Sequence, residues 1–359
     1  MRSRFVGRGL VVHSAVLLLS TLVISPASAH SGRMATISWD AASQTEIYVP
    51  PAGEYSYAPS VIDVGSTRYV WTCHNAQSRV IRDHIYLEKF EHGRLVSDES
   101  VLQATAGSWD SFHTCDPSVV KGKFRYNGAR YRWAMFYLGN DLDASAHNQI
   151  GVAFATSPDG PWVKHPTPIV GFDSSAQWGV GQPSAISTGA GAVTLFYTQG
   201  DTSTRAYWRA LDFSDPNAPA IGPARLVPIA GLAGTDGSAD YLNNYDIAFD
   251  RARQSFVAVR EQHPYPTDNP WWIGSSVDVD MISAAGLFSG KGSWHSLNTI
   301  TPTMTGLGRN HNAGLLRTAA GTLPIAKSAT VVFTSSCAGP TCDSLFNYDL
   351  WEITGRIHL

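Results

Sequence analysis

Along most of this chain, apolar positions alternate with polar ones in runs too short for helices, and the runs repeat. The phrase Tyr57-Ala58-Pro59-Ser60-Val61-Ile62 recurs as Cys115-Asp116-Pro117-Ser118-Val119-Val120 and as Gly181-Gln182-Pro183-Ser184-Ala185-Ile186. Weaker copies follow at Tyr245-Asp246-Ile247-Ala248-Phe249 and His311-Asn312-Ala313-Gly314-Leu315. Each copy precedes a second run rich in β-branched and aromatic residues: Tyr69 to Thr72, Arg132 to Leu138, Val193 to Thr198, Phe256 to Arg260 and Thr330 to Thr334. A third run comes next, at His84 to Phe90, Gln149 to Thr156, Tyr207 to Phe213, Ser276 to Ile282 and Phe346 to Ile353. Residues of these types suit strands, and fourth strands show near Trp162 and Trp294. Five such units predict an all-β, five-bladed β-propeller with about four antiparallel strands per blade. The run around Ala35 to Trp39 is placed to close the last blade beside Asp349 to Ile353.

In an antiparallel blade the starts of the first and third strands lie at one end, so the topology decides which residues meet. One face collects the loops His74 to Asp83, Asn140 to Asn148, Gln199 to Arg205, Glu261 to Trp272 and Cys337 to Cys342. Entries to the first strands add Trp109, Asp110, His113, Trp178, Asn243, Asn244, Arg309 and His311. Such a face offers hydrogen bonds for hydroxyls and rings for stacking.

The N-terminus carries Arg2, Arg4 and Arg8, then the apolar stretch Val11 to Ile24, then Ala27-Ser28-Ala29. This is the pattern of a cleaved signal peptide over 1–29, leaving 30–359 as one propeller domain, secreted or periplasmic and monomeric. Four cysteines in an exported chain predict disulfides. Cys337 and Cys342 enclose a loop that closes readily, and Cys73–Cys115 pairs by elimination. A zinc site of Cys73, His74, His113 and Cys115 lacks the usual closely spaced ligand pairs, so no metal site is expected.

Composition narrows the ligand. Lys+Arg 26 against Asp+Glu 29, with no basic block, argues against a nucleic-acid partner, and no later segment is apolar enough to span a membrane. Only 15% of residues are charged while 11% are aromatic, which suits neutral, hydroxylated ligands such as sugars.

Asp116-Pro117-Ser118-Val119, the Tyr131 to Leu138 strand and Ile150-Gly151-Val152-Ala153-Phe154-Ala155-Thr156-Ser157-Pro158-Asp159-Gly160-Pro161-Trp162 resemble the second blade of glycoside hydrolase family 43. Gly306-Leu307-Gly308, leading to His311, resembles the fifth-blade segment that brings a histidine to the central channel in that group. The resemblance implies a propeller whose first three blades each supply a carboxylate to acid–base hydrolysis. Here the matching positions read Ala58, Asp116 and Gln182, so only the middle carboxylate is present. Alanine cannot activate water and glutamine cannot protonate a leaving oxygen.

Two readings stay open: a hydrolase whose acid and base have moved on the same face, or a sugar-binding propeller without turnover. The catalytic candidates are Asp116, Glu261 and Asp246, with Asp246 taken as the fourth-blade equivalent of Asp116. Asp83, Asp110, Asp141, Asp143 and Asp201 are further acidic groups on that face. The expected substrate contacts are Asp83, His74, Trp109, His113, Trp178, Gln182, Arg260, Arg309 and His311. No cofactor is expected, apart from a structural cation that His311 could help to hold. Asp116 could instead cap a strand entry, Glu261 could pair with Arg260, and His311 could be a satisfied core histidine.

Overall fold

The computed structural model describes residues 35–142, 146–172, 178–200, 204–215 and 218–358. The segment 1–29 expected to be a signal peptide, together with Asp143 and Asp201, lies outside them.

The chain forms five antiparallel blades. The first comprises Ser56–Val64, Thr67–Asn75, Asp83–Glu91 and Arg94–Leu102. The second comprises His113–Tyr126, Ala129–Asn140, Gln149–Ala155 and Val163–Lys164. In the third, Gly179–Gly189, Ala192–Gly200 and Thr204–Asp212 are edged by two short strands, Ala220–Ile221 and Arg225–Leu226. The fourth comprises Asp246–Asp250, Ser255–Glu261, Val277–Ser283 and His295–Ile300. The fifth is Arg309–Arg317, Ser328–Ser336 and Asp349–His358, and its outer strand is the N-terminal Thr36–Tyr48. The ring is therefore closed by the N-terminal strand, as the pattern at Ala35 to Trp39 predicts. Phe346 differs from expectation: it lies in the 3-10 turn Ser344–Asn347, and the third strand begins only at Asp349.

Blades pack face to face, because each alternating strand presents apolar residues to both neighbours. One cluster lies at each junction. Trp71, Leu87 and Met135 fill the first–second interface, Phe154, Leu195 and Phe213 the second–third, and Phe196, Ile247 and Phe256 the third–fourth. Val259, Leu315 and Val331 fill the fourth–fifth, and Val61, Val332 and Leu350 the fifth–first.

The innermost strands share a kink. Ala58, Asp116, Gln182, Asn244 and Asn312 all adopt left-handed backbone, with φ of 53°, 46°, 51°, 43° and 38°. In four blades the register with the second strand slips at that residue, which is a bulge. These five equivalents correct the sequence reading of the fourth blade: Asn244, not Asp246, is the counterpart of Asp116. Asp246 sits two positions on, where the first three blades have Ser60, Ser118 and Ser184. Without the Pro-Ser pair, nothing local in Asn244-Tyr245-Asp246 fixed the frame.

That deeper layer binds the blades together. Ser60 Oγ accepts the Val119 N–H (3.2 Å), Ser118 Oγ that of Ala185 (2.9 Å), Ser184 Oγ that of Ile247 (3.0 Å), and Asp246 Oδ2 that of Leu315 (3.0 Å). Gly314 completes the circle, since a β-carbon there would lie 2.0 Å from Pro59 O. Arg317 plugs the centre, fully buried. Its guanidinium donates to Ser60, Ser118 and Ser184 and lies 3.0 Å from Asp246 Oδ1.

Candidate active site

Above the plug, the five left-handed residues line an open axial cleft with a cavity volume of about 30 Å³. Left-handed backbone costs a residue with a β-carbon roughly 1–2 kcal/mol, and strain of this kind clusters at functional sites. Asn and Asp tolerate it best, which suits three of the five positions. The five left-handed residues contribute one carboxyl, three amides and a methyl, and Pro59, Pro117, Pro183, Tyr245, Asp246 and Ala313 complete the lining.

Asp116 is the ionisable member of this ring. Its Oδ2 accepts the Gln182 N–H at 3.1 Å, while its own N–H points at Cys73 Sγ, 2.9 Å away. The Cys73–Cys115 disulfide forms the wall on its other side, with Cys115 Sγ 3.5 Å from Oδ1. Burial pushes the carboxyl up to about 7; the Gln182 N–H opposes that rise and the Asp83 charge adds to it. Ser60, Ser118 and the disulfide derive directly from the repeat and the cysteine count, and both expected disulfides are present.

Asp83 stands behind that wall. It accepts from Tyr55 (2.6 Å) and Tyr57 (3.2 Å), and its Oδ2 is 3.0 Å from His113 Nδ1, which also accepts the Asp83 N–H at 2.9 Å. The Tyr57 hydroxyl lies 3.2 Å from Cys115 Sγ as well, so a short chain of contacts links Asp83 to Asp116. Asp83 thus reaches Asp116 only through Tyr57 and Cys115, and His113 contacts Asp83 rather than Asp116. His74 does not meet Asp116: it faces the fifth blade, stacked on Tyr86 at 4.2 Å, with Nδ1 2.8 Å from the Asn75 carbonyl.

On the opposite side Gln182 is fixed in an amide cluster. Its Nε2 donates to Asn243 (3.0 Å) and Asn244 (2.6 Å), and its Oε1 accepts from Thr198 (3.0 Å) and the Asn244 N–H (3.0 Å). Glu261 lies one layer behind. It is completely buried and accepts from Asn244 Nδ2 (2.9 Å), the Asn312 N–H (2.9 Å), the Gly274 N–H (2.8 Å) and the Tyr265 hydroxyl. A carboxylate so fully engaged positions the ring rather than reaching into the cleft.

Several expected contacts serve the framework instead. Arg260 alternates to the other face of its strand, where Asp240, Asp278 and Asp280 surround it; it donates to the Ala233 and Glu261 main-chain carbonyls and not to the Glu261 carboxylate. Asp246 is held by Arg317, Ser184 and the Leu315 N–H, beneath the ring. Trp109 packs on Tyr137 at 5.7 Å over Gly139 and Gly151, where β-carbons would overlap its ring. Asp110 is buried between Lys164 and Tyr137. Arg309 pairs with Asp268 at 2.7 Å and anchors a loop. Trp178 stays at the rim: half-buried, it rests on Gly200, where a β-carbon would fall 1.3 Å from its Nε1.

His311 is fully buried and its basicity is lowered by that burial. Its Nδ1 meets Asn312 Oδ1 at 2.6 Å and its ring packs edge-on to Tyr348 at 4.5 Å. Among the described residues, the one trio of possible metal ligands is Cys73, Cys115 and Asp116, and its sulfurs are joined in the disulfide. The sequence reading missed Tyr57, Tyr265, Tyr348 and Asn312. The asparagine could have been found from the tolerance of Asn for left-handed backbone at the repeat position.

No protein-family model matches this chain, and no curated protein matches it. Its fold is that of a group of solved glycoside hydrolases. A family 117 glycoside hydrolase from the marine bacterium Zobellia galactanivorans superposes with TM-score 0.57 at 12% identity, over 90% of each chain. The α-L-arabinofuranosidase of Podospora anserina, in complex with cellotriose, gives TM-score 0.56 at 12% identity over 89% of this chain and 97% of that one. A thermostable family-43 glycoside hydrolase gives TM-score 0.53 at 16% identity, over 87% and 93%. The five-bladed architecture expected from the repeats, and its likeness to family 43 structures, are thus both found.

Proposed function

We propose that this is an exported carbohydrate-active protein, a glycoside hydrolase that takes a saccharide end into the axial cleft and uses Asp116 as its proton donor. The observation that carries the reading is the Asp116 carboxyl, which lines the cleft and is pushed by burial up to about 7, so that a large share of it keeps its proton near neutral pH. A group with that property protonates a leaving glycosidic oxygen at neutral pH, and the amides of Gln182, Asn244 and Asn312 suit sugar hydroxyls. Glu261, Asp246 and Asp83 all have their oxygens engaged by other groups, so Asp116 is assigned as the proton donor and the water-activating partner is left unassigned. The substrate class is a plant or microbial poly- or oligosaccharide. The disulfides support export.

The second reading, a saccharide-binding propeller without turnover, is favoured by the ring itself, which holds one carboxyl where two-carboxylate hydrolysis needs a pair. Reducing-sugar release from arabinan, galactan and xylan oligosaccharides separates the two. Hydrolysis that falls at least about a hundredfold in Asp116→Asn, with binding kept, establishes the enzyme. Binding without product in the wild-type protein establishes the second reading.

A further inference from the structure

Among the described residues, only two tryptophans are exposed, Trp271 at 65% and Trp272 at 42%, and they are neighbours in the loop that follows Glu261. Large rings left in water by a fold that buries or half-buries its other tryptophans call for a ligand. Their indoles stand nearly perpendicular, centroids 5.5 Å apart, so they present a corner rather than a flat apolar patch.

This corner is linked to the cleft through one ring. The Trp272 side chain lies beside the Tyr348 hydroxyl, and the Tyr348 ring lies 4.5 Å from His311 and 5.9 Å from Tyr57. The residues that follow those two, Asn312 and Ala58, line the cleft.

The loop is also bolted down. Arg309 holds Asp268 (2.7 Å), Asn269 Nδ2 donates to the Cys342 carbonyl (2.8 Å), and the Gly339 N–H donates to the Asn269 carbonyl (2.8 Å). The Cys337–Cys342 loop is therefore a buttress for the tryptophans. At the loop's far end, the Gly274 N–H binds Glu261, the carboxylate that also holds Asn244 and Asn312 in the ring. Glu261 thus ties the position of the rings to that of the cleft.

We propose that Trp271 and Trp272 form a stacking subsite for a second sugar ring, so that the ligand is a chain of two or more sugars leaving the cleft toward the Cys337–Cys342 loop. This rests on the saccharide reading above and adds chain-length selectivity to it. Rigid aromatic side chains bind at low ordering cost, and a pre-held platform gains further from that.

The test is calorimetric titration of the full-length Asp116→Asn protein, which keeps ligands intact, with ladders of one to four sugars: β-1,3-galacto-, cello- and arabino-oligosaccharides. The expected result is an affinity gain of about tenfold from the first to the second sugar, accompanied by a change in tryptophan fluorescence. Adding Trp271→Ala or Trp272→Ala removes that gain and leaves monosaccharide affinity unchanged, while the Phe variants retain most of it. A gain that survives both alanine variants overturns the subsite while the saccharide reading stands. Absence of binding by every ladder member overturns both. Tryptophan variants that alter only self-association, seen by sedimentation, assign the corner to a second copy of this chain and overturn the proposal.

Discussion

At the scale of single residues, Asp116 links stability to function through one proton. Its carboxyl ionises near 3.8 when exposed and near 7 in the folded protein. Between those values the native state holds a proton that the unfolded chain has released, so this residue's contribution to stability falls as pH rises through that window and stays low above it. Asp116→Asn removes the slope. Urea unfolding at pH 4.5 and pH 8 should therefore show the variant gaining on the wild type at the higher pH, and parallel profiles would contradict the assigned burial. On the proposed hydrolase reading the same proton governs catalysis: turnover should decline as pH climbs through about 7, because the acid form would be the working one. Asp116 was legible in the sequence, since it stands in a strong copy of the repeat and in the family 43-like phrase. Asp246 was misread because its copy lacks the proline and serine that mark the frame, and Glu261 because strand alternation alone does not show which N–H groups a carboxylate will meet.

At the scale of elements, the blade entries carry the site, and the Cys73–Cys115 disulfide joins two of them. It ties the end of Thr67–Asn75 in the first blade to the start of His113–Tyr126 in the second, across a sequence separation of 42 residues. Loss of such a cross-link costs about 2–4 kcal/mol. In the Cys73→Ser/Cys115→Ser variant that loss should come with a second effect. Hydroxyls replace the sulfur wall and admit water to Asp116, so the alkaline limb of the pH–activity profile should move below 7. A stability loss with an unmoved pH profile would limit the disulfide to a structural role. Strands and disulfides were readable because period-two alternation and cysteine count are local or countable properties. The tryptophan loop was not, because its conformation depends on bonds from Arg309, Gly339 and Cys342, all remote in sequence.

At the scale of the whole molecule, the five blades are held in register by the outer closure through Thr36–Tyr48 and by the polar layer around Arg317. That layer breaks fivefold sameness at two points, Asp246 in place of serine and Gly314 in place of any side chain, and Arg317 is the reason for the first. A buried guanidinium needs a counter-charge, and Asp246 supplies it at 3.0 Å while also capping the Leu315 N–H as the serines cap their neighbours. Arg317→Met should leave Asp246 buried without its partner and cost about 3–5 kcal/mol, as should Asp246→Ser by stranding the cation. The double variant Arg317→Met/Asp246→Ser restores a fourth serine to cap Leu315 and fills the axis with an apolar chain of similar length. Denaturant unfolding of all four proteins forms a double-mutant cycle, in which the paired change should recover most of the stability that either single change loses. Additive losses would show that Arg317 and Asp246 act independently, and that the axis is held by the serine contacts and main-chain carbonyls alone.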